Sequence, residues 1–74
     1  MEEIINEYDR AKRLFPEDAH SEHEAFAVIL EEVDELKAEV WRNQKYPDRL
    51  PNIRKESIQV AAMCLRMILE RCSR

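Results

Sequence analysis

The chain of 74 residues has no glycine. Glycine supplies the positive-φ positions of tight hairpins and the bare backbone that wraps a phosphate. Its absence excludes a glycine-rich nucleotide loop of the Walker or Rossmann kind. Long apolar runs are missing too, so no segment has membrane-spanning length. The opening Met1-Glu2-Glu3 does not read as a secretory signal, and a cytoplasmic protein is expected, with no membrane and no nucleic-acid partner. Cysteine is scarce. Cys64 and Cys72 lie eight residues apart on one predicted helix, roughly 12 Å along its axis. That is too far for a bridge within the chain. Neither belongs to a C-x-x-C pair, so zinc and redox roles have little support, and buried or incidental thiols are expected.

What is present is a single domain, residues 1–74. A chain of this size builds a core worth only roughly 3–5 kcal/mol by itself. Without disulfides, a metal or association must add to that. The net charge is −4, unevenly spread. Residues 1–21 carry six acids and three bases; residues 22–39 carry seven acids and one base; residues 40–74 carry three acids and eight bases. An acidic middle and a basic tail suit a site that binds cations in one place and anions in another. Mutual attraction of the two halves within the fold explains the same pattern.

Three helical segments are legible. The first covers residues 2–15, with Ile4, Tyr8, Ala11 and Phe15 at helical spacing, and Pro16 closes it. The second opens on Ser21-Glu22-His23-Glu24, an S-x-x-E capping box, and runs to about residue 43. Its stripe is Phe26, Ile29, Leu30, Val33, Leu36 and Val40. A loop with Pro47 and Pro51 follows over residues 44–52, and either Asp48 or Asn52 caps the third helix, residues 53–72. On that helix apolar and small residues from Ile53 to Leu69 spread over roughly 220° of the circumference, against an arc nearer 100° for a surface helix. Two short helices do not cover the excess. The expected fold is therefore all-α, a three-helix chain associating through its third helix into a four-helix-bundle-type homo-oligomer.

On the second helix Glu24, Glu31, Glu32, Glu35 and Glu39 share a face beside the apolar stripe. Glu32 and Glu35, three apart, rise about 4.5 Å relative to each other. Like charges at this spacing repel and call for a cation or for open solvent. Mg²⁺ prefers oxygen ligands and is held by a few carboxylates, waters and phosphates. Glu56 and Gln59 repeat the spacing on the polar strip of the third helix, where they can complete a metal site between two helices. The plain alternative is a solvated acidic face.

The pattern Glu31-Glu32-x-x-Glu35, twenty residues, then Glu56-x-x-Gln59 resembles the E-E-x-x-E … E-x-x-D signature of MazG-like all-α nucleoside triphosphate pyrophosphohydrolases. The flanking Ser21–Ala25, Val28–Leu36 and Arg54–Met63 stretches are similar as well, so the likeness covers residues 21–70. It implies a Mg²⁺-dependent enzyme (Mn²⁺ is an alternative) that cleaves a nucleoside triphosphate between its α and β phosphates. It also implies a dimer or tetramer of helical bundles. Carried over by position, Glu32, Glu35, Glu56 and Gln59 are the metal ligands. Glu31 stands beside them as ligand or as the base that orients water, and Glu31 and Glu35 carry the catalysis. An acidic site needs cations to attract a polyanion. Lys45, Arg49, Arg54 and Lys55 are candidates for the phosphates, with solubilising charge as the alternative, and His23 or Trp41 for the base. Glutamine at position 59 departs from the signature's aspartate, because a neutral carbonyl is a weaker ligand for a hard cation. Fewer metals, slow turnover or a non-catalytic nucleotide- or metal-binding or protein-interaction module of the same fold follow from that change.

Overall fold

The third helix is the element on which the other two rest. In the computed structural model residues 1–72 are described. Helix α1 spans Glu2–Leu14, α2 spans Glu22–Val40 and α3 spans Arg49–Met67; a π-helical segment, Ile68–Cys72, continues α3. No strand occurs among the described residues. Both α1 and α2 pack along α3, while α1 and α2 share no comparable contact.

Helix α1 carries Glu2 and Glu3 in its first turn and Lys12 and Arg13 in its last. Both pairs complement the helix dipole. The chain leaves the helix at Phe15, φ −131° and ψ 78°, one residue before Pro16, as the steric demand of proline requires. Ala11 is buried and Ile4 and Tyr8 are half-buried, following the predicted stripe. Phe15 does not follow it. It lies past the helix end and is 68 % exposed.

Helix α2 begins as its capping box predicts. The Ser21 hydroxyl accepts from the Glu24 N–H at 3.1 Å. The Glu24 carboxylate accepts from the His20 N–H at 3.3 Å instead of returning to Ser21. The helix ends at Val40, short of the expected 43. Here the Arg49 guanidinium donates to the Val40 carbonyl at 2.9 Å and satisfies one of the carbonyls a helix end leaves open. In the turn that follows, the Arg42 guanidinium stacks 4.8 Å from the centre of the Tyr46 ring.

Helix α3 starts at Arg49, four residues ahead of the expected 53. Pro51 looked like a loop residue. It falls in the first turn, where a missing N–H costs no helical hydrogen bond. Asp48 takes the N-cap position, its backbone carbonyl accepting from the Asn52 N–H at 3.0 Å, without a side-chain cap.

The C-terminal segment ties the α1–α2 loop down. Arg66 donates to the Glu17 carbonyl at 2.8 Å and also to that of Phe15. It pairs with the buried Glu70 at 2.8 Å, and Lys12 reaches the same carboxylate at 3.5 Å. Arg71 pairs with Glu22 at 2.9 Å and donates to the Ala19 carbonyl.

Little apolar surface is enclosed. Ala11 and Ala62 are the buried hydrophobic residues among those described, no large side chain is fully buried, and α2 buries none. Cys64 and Cys72 are free and exposed, so of the two expectations, buried or incidental thiols, burial does not hold. The radius of gyration is 13.3 Å, against about 11 Å for a compact domain of this length. No helix among the described residues is long and apolar enough to cross a membrane.

Candidate metal centre

Helical spacing brings three carboxylates to one point between α2 and α3. Glu32 and Glu35 stand one turn apart on α2, and Glu56 faces them from α3. Each offers a carboxylate oxygen within 4.8 Å of the others. Glu35 is exposed, whereas Glu32 and Glu56 are half-buried. The packing of α2 on α3 creates this group; neither helix holds it alone.

The electrostatics match the crowding. Burial pushes the Glu32 carboxyl up to about 7, with the charge of Glu35, a hydrogen bond to Glu35 and the charges of Glu56 and Glu31 adding to it. Glu56 is also raised, first by burial and then by a hydrogen bond with Glu35 and the charge of Glu35; neighbouring Lys55 opposes the rise. Carboxylates this close disfavour one another's ionised forms.

Gln59 enters the cluster as a donor. With its amide oriented by its partners, the NH₂ group donates to Glu56 Oε2 at 2.9 Å and to Glu32 Oε2 at 3.0 Å. One neutral side chain thus bridges the two helices through their carboxylates. Its carbonyl reaches a cation only after the amide turns over. Glu31 is exposed on α2 beside Glu32.

A cleft of about 740 Å³ lies between α1, α2 and α3 and reaches the cluster at Glu32, while Glu35 and Glu56 do not line it. Glu31, Glu32 and Gln59 form one end, Ala25, Val28 and Met63 its apolar part, and Arg10, His20, Arg66 and Arg71 its basic part. Its size suits a nucleotide-sized ligand, because small-molecule sites run from about 300 to 1,000 Å³. The chain matches no known family model, curated protein or solved structure.

The basic and aromatic candidates fare unequally. Lys45, Arg49, Arg54, Lys55 and His23 are not among the residues lining this cleft. Arg49 is spent on the end of α2. Arg54 pairs with Glu3 at 2.6 Å. Lys55 touches the site electrostatically, through Glu56. Lys45 lies in the exposed turn between α2 and α3, and His23 is exposed in the first turn of α2. Trp41 is 76 % exposed at the end of α2.

Sequence reasoning missed Arg10. It lines the cleft from α1, half-exposed, and forms hydrogen bonds to Glu7 as short as 2.7 Å. Its guanidinium is held in the charged state by Glu7 and feels the charge of Glu32 across the cleft. The signal was faint: an i,i+3 Glu–Arg pair reads as ordinary helix surface. Only the folding of α1 over α3 points it at the glutamates.

Proposed function

We propose that the protein is a Mg²⁺-dependent nucleoside triphosphate pyrophosphohydrolase, cleaving between the α and β phosphates to give a nucleoside monophosphate and pyrophosphate. The observation that carries the reading is the meeting of Glu32, Glu35 and Glu56, from two helices, with Glu32 also lining a nucleotide-sized cleft. The E-E-x-x-E … E-x-x-Q pattern, which resembles the MazG-like signature, falls on these same residues and supports it.

The donor set fits a hard divalent cation: three carboxylates, with open solvent on the Glu35 side for waters and phosphate oxygens. Glu32, Glu35 and Glu56 would hold the ion, which when bound neutralises phosphate charge and makes a water nucleophilic near neutral pH. The chain's own groups supply the rest. Glu31, exposed beside Glu32 on α2, would accept a proton from an attacking water. Arg10 is placed to pair with phosphate oxygens by exchanging Glu7 for the substrate. Phosphoryl chemistry is largely a matter of such positioning and charge compensation.

A second reading has one observation in its favour. The Gln59 amide satisfies Glu32 and Glu56 without any cation, as in a non-catalytic nucleotide- or metal-binding module of the same fold. Pyrophosphate release from a panel of ribo- and deoxyribonucleoside triphosphates, with Mg²⁺, Mn²⁺ or EDTA, separates the two. Metal-dependent release is expected. A folded protein that binds Mn²⁺ and releases none from any nucleotide establishes the second reading.

A further inference from the structure

The metal centre leaves a second hollow of the molecule unused. A groove of about 500 Å³ runs between the N-terminal parts of α1 and α3. Its charged lining is Glu3, Glu7 and Arg10 from α1 and Arg54 and Lys55 from α3. Cations thus outnumber carboxylates there, in a chain of net charge −4. Arg54 pairs with Glu3 at 2.6 Å and Arg10 with Glu7 at 2.7 Å. The Arg54–Glu3 pair is well exposed on both sides, so it is worth little and exchanges readily. Lys55 is exposed, and among the described residues no carboxylate forms an ion pair with it. Its charge reaches Glu56 of the metal centre.

We infer that this groove is the subsite for the two terminal phosphates of a nucleoside triphosphate, the pair that would leave as pyrophosphate, an assignment that rests on the pyrophosphohydrolase reading and extends it. Position and charge both select it. Glu7, Arg10 and Gln59 line the groove and the larger cleft alike, so the two hollows adjoin at these residues. The Gln59 amide at that junction donates to Glu32 and Glu56. A ligand whose α phosphate lies at the carboxylates therefore has the cleft on one side and the groove on the other. Charge orients it between them. Glu17, Asp18, Glu24 and Glu70 line the cleft. Its arginines are committed, Arg66 to Glu70 and the Glu17 carbonyl and Arg71 to Glu22. A polyanionic tail is repelled there, whereas Ala25, Val28 and Met63 offer apolar surface to a nucleoside. The groove is the reverse, with the unpaired Lys55 ammonium and two guanidiniums in exchangeable pairs. A phosphate takes Arg54 from Glu3 without loss of geometry, because the guanidinium fork fits carboxylate and phosphate alike. The displaced Glu3 carboxylate, already 58 % exposed, stays in water.

Calorimetric titration of the intact chain with inorganic pyrophosphate, in EDTA and at low ionic strength, tests the groove without metal or turnover. Binding is expected, and it weakens as salt rises. Lys55→Gln and Arg54→Gln should each weaken it about tenfold, the equivalent of one charge-assisted hydrogen bond. Glu3→Gln should tighten it by removing the competing carboxylate, an effect that no loss of folding produces. Lys37→Gln, exposed on α2 and outside the groove, leaves it unchanged. All four positions are exposed, and circular dichroism checks the fold of each variant. A folded protein that binds no pyrophosphate overturns the assignment, as does binding that none of the changes at Lys55, Arg54 and Glu3 affects. The catalytic reading fails separately. Pyrophosphate binding with the expected pattern, but no release from any triphosphate, supports the groove as an anion site and overturns hydrolysis. Metal-dependent hydrolysis whose KM and inhibition by pyrophosphate are unchanged in Lys55→Gln and Arg54→Gln keeps the enzyme and overturns the groove.

Discussion

Gln59 donates to Glu32 at 3.0 Å, and through the other hydrogen of the same amide to Glu56 at 2.9 Å. The contact joins α3 to α2 at the point where their carboxylates crowd. An amide at this position does two things. It supplies donors that spare Glu32 and Glu56 from facing each other bare, and it withholds the negative charge that an aspartate would bring.

Replacing that amide by a carboxylate should trade apo stability for metal affinity. Gln59→Asp is expected to lower the melting temperature in EDTA, since a fourth acid joins three, and to tighten Mn²⁺ binding by about tenfold, because ligand charge sets the affinity for hard cations. Calorimetric titration with Mn²⁺ checks the second effect and melting in EDTA the first. Unchanged affinity would place position 59 outside the ion's reach.

Glu35 is the exposed member of the carboxylate group, so its removal costs the fold little. Glu35→Gln should keep the helical circular dichroism signal and the melting temperature in EDTA. Any metal-dependent pyrophosphate release should fall by at least about 100-fold, because a ligand to the catalytic ion is lost. Turnover at the native rate in this variant would remove the carboxylate centre from the mechanism.

The metal-free protein should lose stability as pH rises from about 4.5 to about 7. Burial and neighbouring acids raise Glu32 to about 7 in the folded state, and Glu56 is raised in the same sense. An acid raised on folding binds its proton more tightly in the native state. The stability it contributes is full below the unfolded value and is lost as pH passes the folded one. Melting curves in EDTA across this range check the slope. Glu32→Gln should flatten it, and Mg²⁺ should reverse the loss by binding the folded, ionised form.

Glu70 is buried between Arg66 and Lys12 at the C-terminal end of the molecule. Removing one partner of a buried pair leaves the other uncompensated, at a cost of up to about 3–5 kcal/mol, less here because Lys12 is partly exposed. Glu70→Ala should lower the melting temperature and loosen the α1–α2 loop that Arg66 holds. Denaturant titration measures the first and limited proteolysis between residues 15 and 21 the second. A stability equal to the native protein's would make this cluster a surface feature.

Much of the local structure was written in the residues. Ser21 capped α2 as its box predicts, Pro16 ended α1, and the i,i+3 spacing put Glu32 and Glu35 together. These rest on interactions within a few residues, which backbone geometry alone decides. The boundaries around the second loop were not legible, because Pro51 is equally at home in a loop and in a helix's first turn. The interaction of Arg49 with Val40 that closes α2 joins residues nine apart across a turn, and no periodicity announces it.

Sequence by itself determined an all-helical chain, the face on which each glutamate sits, and a surplus of apolar residues. The spacing named the glutamates that could meet, and tertiary packing decided that they do. It brought Glu56 to Glu32 and Glu35, gave Gln59 the role of a donor, and turned Arg10 rather than Arg49 or Arg54 toward the cleft. It also left Phe26, Val28, Leu30 and Val33 of α2 exposed, against Leu50 of α3, although the sequence pattern placed the apolar surplus on the third helix. The physical reason is the same throughout. Helical spacing fixes which residues share a face, but the partner of that face depends on how separate helices cross, and that depends on the whole set of contacts at once.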